Sequence, residues 1–304
     1  MKIFDFYTSP PSPHSTPPLP LLNQKFIQAV IQSNIPQMTE CLDLGVDPNL
    51  LIEDGDAALH VSSDKCDYKM LDLLLNRPTT DLNLKNDLEL TPLAVASKGN
   101  CREIAHLLLR AGADPDAQDK DGYTALHYAC FAGNMGLVVD LVEAEADVNC
   151  ANVFDMTPLA VAVLDVPSIS IAKYLMLKGA SSEAGRKQFP LLLECAFICH
   201  TYKQLNMFKL LISNGMDHHQ VHPIENRNCL HYAAITGYLP LAEYLIKLNN
   251  VERDLFVRDA TGRTPMDLTL DHGNYLIFHL YKFAYLKRQI RDRDRSIHRY
   301  QPHE

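Results

Sequence analysis

Apolar residues along this chain fall into short helical bursts that return in the same order. A burst with a small face, such as Leu93 and Ala96 or Leu126 and Ala129, runs into a Gly-Asn break. A second apolar burst follows, as in Ile104-Ala105-His106-Leu107-Leu108-Leu109, and a glycine closes it. Polar, Asp-rich residues then intervene, as in Asp114-Pro115-Asp116 and Asp119-Lys120-Asp121-Gly122. The order predicts a short helix, a tight turn, a second helix running back and a projecting polar finger.

This cycle keeps time. Leu59, Leu93, Leu126, Leu159, Leu193, Leu230 and Met266 stand 34, 33, 33, 34, 37 and 36 residues apart. Asp47, Asp81, Asp114, Asp147, Ser181, Asp217 and Asp254 keep a second beat of 34, 33, 33, 34, 36 and 37. A period of that length means a stacked array in which each unit buries its apolar face on its neighbours. One period before Leu59 lies Phe26, with Ala29 in the place of Ala96, Ala129 and Ala162, so a degenerate first unit opens near Leu22.

Local chemistry supports the same register. Thr91, Thr157 and Thr264 each precede a proline, which places the hydroxyl at a helix N-cap and the proline where its missing N–H has no intrahelical partner. Gly99-Asn100, Gly133-Asn134, Gly237 and Gly273-Asn274 end the first helices, and Gly45, Gly112, Gly179 and Gly215 end the second, with residues that tolerate a left-handed backbone. Thr-Pro-Leu-x-x-Ala, Gly-Asn, an apolar helix, Gly-Ala-Asp and a polar finger together resemble the ankyrin repeat, most closely from Tyr123 to Asn149. The resemblance implies an all-α ankyrin-repeat solenoid of about eight helix-turn-helix units, with β-hairpin-like fingers and a concave face for protein recognition. The expected units lie near 22–54, 55–88, 89–121, 122–154, 155–188, 189–225, 226–261 and 262–286, the sixth and seventh lengthened by insertions.

Two flanks stand apart. Residues 1–21 hold Ser9-Pro10-Pro11-Ser12-Pro13 and Ser15-Thr16-Pro17-Pro18-Leu19-Pro20, which predict an extended, disordered lead-in rather than helix. Ser9, Ser12 and Thr16, each followed by proline, are candidates for proline-directed phosphorylation, and Pro17 to Pro20 for an aromatic adaptor groove. At the other flank Tyr275 to Leu286 reads as an enlarged aromatic helix that closes the array. Residues 287–304 form a basic tail of net charge +3, leaving −12 on residues 1 to 286. An acidic lipid surface, a calmodulin-like groove and nuclear import are its functional readings, each diluted by the alternating Arg291-Asp292-Arg293-Asp294-Arg295.

Overall charge and cysteine usage narrow the class. A net charge of −9 without a basic stripe disfavours nucleic acid. The eight cysteines are scattered and predict reduced thiols, and neither a leader nor an apolar run long enough for a bilayer is visible. The expected location is the cytoplasm, with the nucleus as a second one, and the expected state a monomer until it meets its partner.

No Walker loop, dinucleotide fingerprint, His-Glu-x-x-His or nucleophile elbow occurs, so no enzyme activity and no cofactor are expected. His60, His127 and His231 occupy one repeat position and predict structural bonds to N-caps or inter-repeat turns. His218, His219 and His222, with Cys195, Cys199 and His200, offer metal-ligand types but lack paired Cys-x-x-Cys spacing, and no metal is expected. Leu141, Asp147, Val148 and Asn149 resemble the ankyrin sequence used by the oxygen-dependent asparaginyl hydroxylase of animal cells, which makes Asn149 a candidate; Leu75, Asp81, Leu82 and Asn83 are a poorer copy. The competing reading is that Asn149 holds its turn.

The fingers carry the functional expectation. Early ones present Glu53, Asp54, Asp56, Asp87, Glu89, Asp119, Asp121 and Asp155 against Lys85 and Lys120; later ones present Arg186, Lys187, Arg227, Arg258 and Arg263. Like charges in a row steer a partner of opposite sign. The predicted site therefore comprises Asp54, Asp56, Asp87, Glu89, Asp119, Asp121 and Asp155, with Tyr123 and Phe154 as aromatic anchors, and the expected partner is another protein with a basic surface. The sequence reads as a non-enzymatic adaptor or regulator. Its alternatives are a ubiquitin-ligase recognition subunit, for which 275–304 shows no clear elongin-binding box, and an inhibitor of a partner enzyme.

Overall fold

A computed structural model describes residues 18–52, 55–181, 189–248 and 251–299. These form two compact units, divided after Lys120. The first holds α1 (Leu19–Ile31), α2 (Ile35–Asp43), α3 (Ala58–Asp64), α4 (Tyr68–Leu75), α5 (Pro92–Lys98) and α6 (Arg102–Ala111). The second begins with α7 (Ala125–Phe131), α8 (Met135–Glu143), α9 (Pro158–Leu164), α10 (Ile169–Leu177), α11 (Leu191–Phe197) and α12 (Tyr202–Ser213). It continues with α13 (Cys229–Thr236), α14 (Leu239–Ile246), a 3-10 turn over Val251–Phe256, α15 (Pro265–Asp271) and α16 (Tyr275–Arg299). The fold is all helical, an ankyrin-type solenoid of helix pairs; among the described residues the only extended pairing is a bridge between Leu51 and Ala57.

Within each unit odd-numbered helices pack on odd and even on even, as in α1·α3·α5 and α7·α9·α11·α13·α15. Short first helices with Ala96, Ala129 or Ala162 fully buried let neighbours approach closely, while Leu93, Leu126 and Leu159 fill the space between them. Burying a leucine of this kind contributes about 2 kcal/mol, and the period repeats the gain at each step.

The recurring aspartates have a local purpose. Asp47, Asp81, Asp114, Asp147 and Asp217 each accept the amide two residues on, at 2.8–2.9 Å, and so hold the turn after a second helix. The residue so held then reaches onward. Asn49 Oδ1 accepts Asp81 N–H, Asn83 Oδ1 accepts Asp114 N–H and Asn149 Oδ1 accepts Ser181 N–H, at 2.7–2.8 Å, while Asn49 and Asn149 donate through Nδ2 to Thr79 and Gly179 carbonyls. Turn and inter-repeat stitch are thus one motif.

Buried histidines make the second stitch. Nδ1 of His60, His127 and His231 accepts the N-cap amide of Ala57, Thr124 and Asn228 at 3.1 Å, and Nε2 donates to the carbonyls of Leu90, Met156 and Arg263 one repeat later. All three rings are fully buried.

Several expectations need correcting. Gly99 is not left-handed; Asn100 takes the positive φ of 60° instead, because an asparagine side chain tolerates it. Helix α1 starts at Leu19 and includes Pro20 in its first turn, where a missing N–H costs nothing. Helix α16 does not stop at Leu286 but runs on through the basic residues to Arg299. Its inner face closes the array: Tyr281 is fully buried and donates its hydroxyl to Leu230 O at 3.0 Å. The cysteines are not all thiols, since Cys66 and Cys101 are joined by a disulfide.

Candidate partner-binding surface

Four of the described fingers turn on one side chain that gathers the loop's amides. Asn86 Oδ1 accepts from Leu88 and Leu90, Asn152 Oδ1 from Phe154 and Met156, and Asp259 Oδ1 from Thr261 and Arg263. In the lengthened sixth repeat His222 Nδ1 does the same for Ile224 and Glu225. Neighbouring fingers then join by single backbone bonds: Lys120 N–H to Leu88 O, Val153 N–H to Asp121 O and Ala260 N–H to Glu225 O. The fingers are therefore hairpin-like without being strands.

This geometry sorts the predicted acids. In the first unit Asp87 and Glu89 are exposed, although Glu89 lies 3.7 Å from Lys85, and Asp56 is half-buried and accepts from Asn86 Nδ2 at 2.8 Å. Asp119 departs from expectation. It holds the place that Asn86 and Asn152 hold in their fingers and is only 8% exposed, so it belongs to the turn rather than to a solvated charge row. In the second unit Asp155 is exposed and Asp121 half-buried. Asp54, with Glu53, lies outside the described residues, as do Ser9, Ser12 and Thr16.

Around Tyr123 the second unit gathers aromatic rings. Tyr123 lies 5.6 Å from His127, 5.8 Å from Tyr128, 5.7 Å from Phe131 and 6.4 Å from Phe154. Tyr123 itself is half-buried, contrary to its expected role as a free anchor, because the short finger folds it onto α7. Phe154 remains 64% exposed and Val153 65% exposed at the finger tip, beside Asp155. Tyr128 and Phe131 were not foreseen. They stand where α5 carries Val95 and Lys98, so an aromatic enlargement of one repeat relative to its neighbour was the available signal.

The later basic fingers are internally compensated. Arg227 bonds Asp259 and Glu225, Arg263 bonds Asp271 and lies 3.6 Å from Asp259, and Arg258 donates to Gly262 O. Burial would raise the Asp259 carboxyl, yet the Thr261 hydroxyl, the Arg263 and Thr261 amides and Arg227 outweigh it and hold the group well below the usual carboxylate range. Arg186 and Lys187 lie outside the described residues. A sign change along the fingers is thus weaker than the sequence count implies.

Histidines and cysteines considered for metal separate in space. His222 holds its finger and packs on Phe189 at 4.8 Å, while Cys195 and Cys199 are buried thiols pushed up by desolvation, Cys199 to about 12. Only Asp217, His218 and His219 bring their ligand atoms within 4.8 Å of one another among the described residues, and His219 Nδ1 is already bonded to Asp254 at 2.8 Å.

Comparison with known proteins agrees with this geometry. The family profile described as Ankyrin repeats (3 copies) matches residues 26–119, 95–185 and 195–283. The chain belongs to the ankyrin-repeat family. It is 26% identical over 260 residues to Transient receptor potential cation channel subfamily A member 1 of Homo sapiens, covering 83% of this chain and 23% of the channel. It is 28% identical over 237 residues to the B-cell lymphoma 3 protein homolog of Mus musculus, covering 71% of this chain and 50% of that protein. To NF-kappa-B inhibitor alpha of Homo sapiens it is 37% identical over 97 residues, 31% of each. The chain thus spans half or less of the length of these relatives. As an ankyrin array it carries a non-catalytic protein-interaction fold, and no helix among the described residues is long and apolar enough to cross a membrane.

Proposed function

We propose that this ankyrin protein is a non-enzymatic adaptor or regulator that binds another protein through the finger tip at Phe154 and the adjoining face of the short helix α7. The supporting observation is the aromatic cluster of Tyr123, Tyr128, Phe131 and Phe154, in which Phe154, like its neighbour Val153, stays about two-thirds exposed beside Asp155. Exposed aromatic side chains cost solvation free energy unless a partner covers them, and they dominate interface energetics when it does. Asp155 and Asp121 here, and Asp87 and Glu89 on the first unit, favour a partner with basic side chains. A cytoplasmic or nuclear location and a monomeric unbound state fit that role. The resemblance to NF-kappa-B inhibitor alpha favours one second reading, that binding inhibits the partner. Under the same family reading Asn149 is the preferred hydroxylation position and Asn83 the weaker one; Ser9, Ser12 and Thr16, each followed by proline, are the candidate phosphorylation positions.

The test begins with proximity labelling in cells to find the partner, followed by titration with purified proteins. Phe154→Ser should weaken the complex on the order of 2 kcal/mol while leaving the helical circular dichroism and thermal midpoint nearly unchanged. Asp87→Lys with Glu89→Lys should slow association and reduce its salt dependence. A partner whose affinity ignores Phe154→Ser would move the site off this finger.

A further inference from the structure

In six of the repeats the turn between the two helices has a left-handed residue followed directly by the residue that precedes the second helix; the fifth and sixth repeats turn without one. Ser33-Asn34, Asn100-Cys101, Gly133-Asn134, Gly237-Tyr238 and Gly273-Asn274 all follow this order, with φ between 54° and 71° at the first member. Asn34 and Asn134 cap with a side-chain oxygen, and so does Asp67 in the second repeat.

Repeats two and three each carry a cysteine at one of these two positions; an uncapped second helix recurs at Ser168 and Tyr238. Cys66 holds the left-handed position with φ +50°, where a residue with a Cβ and no local hydrogen-bonding oxygen is disfavoured. Cys101 holds the N-cap of the ten-residue α6 and makes no side-chain cap bond, at a position worth about 1 kcal/mol to an asparagine or aspartate. Two independent local penalties fall on cysteines 35 residues apart, and stacking brings those cysteines together with their Cα atoms 5.9 Å apart, inside the window that a disulfide spans. Locally the Cys101 sulfur has only a long contact of 3.7 Å with Gly99 O, which is no substitute for an N-cap bond. Of the remaining cysteines, Cys41, Cys130, Cys195, Cys199 and Cys229 are buried in the core, whereas Cys66 is half-exposed.

We propose that Cys66 and Cys101 are a reversible thiol–disulfide site, oxidised by a low-molecular-weight disulfide such as glutathione disulfide, that locks the inter-helix turns of repeats two and three together. The more accessible Cys66 thiolate attacks one glutathione sulfur, forming a mixed disulfide and expelling one glutathione thiolate. The Cys101 thiolate, favoured at a helix N-terminus, attacks the Cys66 sulfur and expels the second. Cys66 and Cys101 lose two electrons and two protons; glutathione disulfide takes the electrons to become two thiols. Closing this bond ties α4, α5 and the finger bearing Asp87 and Glu89 into one covalent loop, which restrains local opening.

Full-length protein is equilibrated in glutathione redox mixtures, free thiols are alkylated, and peptides are read by mass spectrometry. The expected result is a Cys66–Cys101 cross-linked peptide that accumulates with glutathione disulfide and disappears in excess glutathione without denaturant. Hydrogen exchange over residues 58–75 and 92–111 should slow on the order of tenfold on oxidation. Cys101→Asn restores the cap that repeats one and four use, should fold, and should trap Cys66 as its glutathione mixed disulfide. Both thiols remaining alkylatable in glutathione disulfide alone would overturn the proposal. So would a bond that survives excess glutathione in the folded protein, which would make it a permanent staple, or a cross-link of Cys66 to any other cysteine.

Discussion

Acidification below pH 6.5 should loosen this ankyrin array, because the buried His60 and His231 stitches are held neutral. His231 is fully buried between the Asn228 amide and the Arg263 carbonyl, and desolvation lowers its pKa from 6.5 to about 4; His60 is lowered for the same reason. A histidine whose folded pKa lies below its unfolded one binds more protons when unfolded. Its stabilising contribution is therefore complete above pH 6.5 and is lost progressively as pH falls toward 4. Between pH 7.5 and 5, His231 alone should withdraw about 2 kcal/mol, on a full span of about 3 kcal/mol. Asp259, held low by its hydrogen bonds, takes up no proton in this interval, and Asp254, raised by burial, works in the opposite sense, so pH 5 is the lower limit. Urea unfolding followed by circular dichroism at pH 7.5, 6 and 5 measures the slope. His231→Gln removes the titrating ring. It should lower stability at pH 7.5 by about 1–3 kcal/mol through lost hydrogen bonds and flatten the slope below pH 6.5. A variant as pH-sensitive as the parent would refute the assignment of acid sensitivity to these stitches.

Other perturbations probe separate links. Asn149→Ala removes the bonds to Ser181 N–H and Gly179 O and should cost about 1–2 kcal/mol in thermal or urea unfolding, with exchange rising first at those turns. Gly122→Ala should cost more than 1 kcal/mol, since φ is +81° and an added Cβ would lie 3.0 Å from the Asn152 Cα, displacing the finger that carries Phe154; unchanged partner affinity and stability would contradict that packing. Tyr281→Phe should cost about 1 kcal/mol through the lost hydrogen bond to the Leu230 carbonyl, whereas Tyr281→Ala should cost about 3–5 kcal/mol and fray α15 and α16 in hydrogen exchange before α9 and α10.

Period, helix pairing, N-caps and the role of the three repeat histidines were legible in the chain, because in a solenoid each is fixed by residues within one repeat or its neighbour. Thr91, Thr157 and Thr264 cap their helices as read, and Gly45, Gly112, Gly179 and Gly215 take the left-handed backbone as read. What escaped the sequence was the fate of side chains once fingers lie edge to edge. Asp119 and Asp155 are both finger acids, yet the fold buries the first within its turn and leaves the second in solvent. Arg227 and Arg263 count as positive charges in a row until Asp259 and Asp271 are placed beside them. Cys66 and Cys101 are unremarkable in a line of text, since their disulfide exists only because stacking at the repeat spacing sets two misfit turn residues 5.9 Å apart. Sequence determined the repeat, whose rules are local and recur; tertiary structure decided which polar groups are spent on neighbours and which aromatic rings remain for a partner, because burial and pairing belong to contacts between repeats rather than to any one of them.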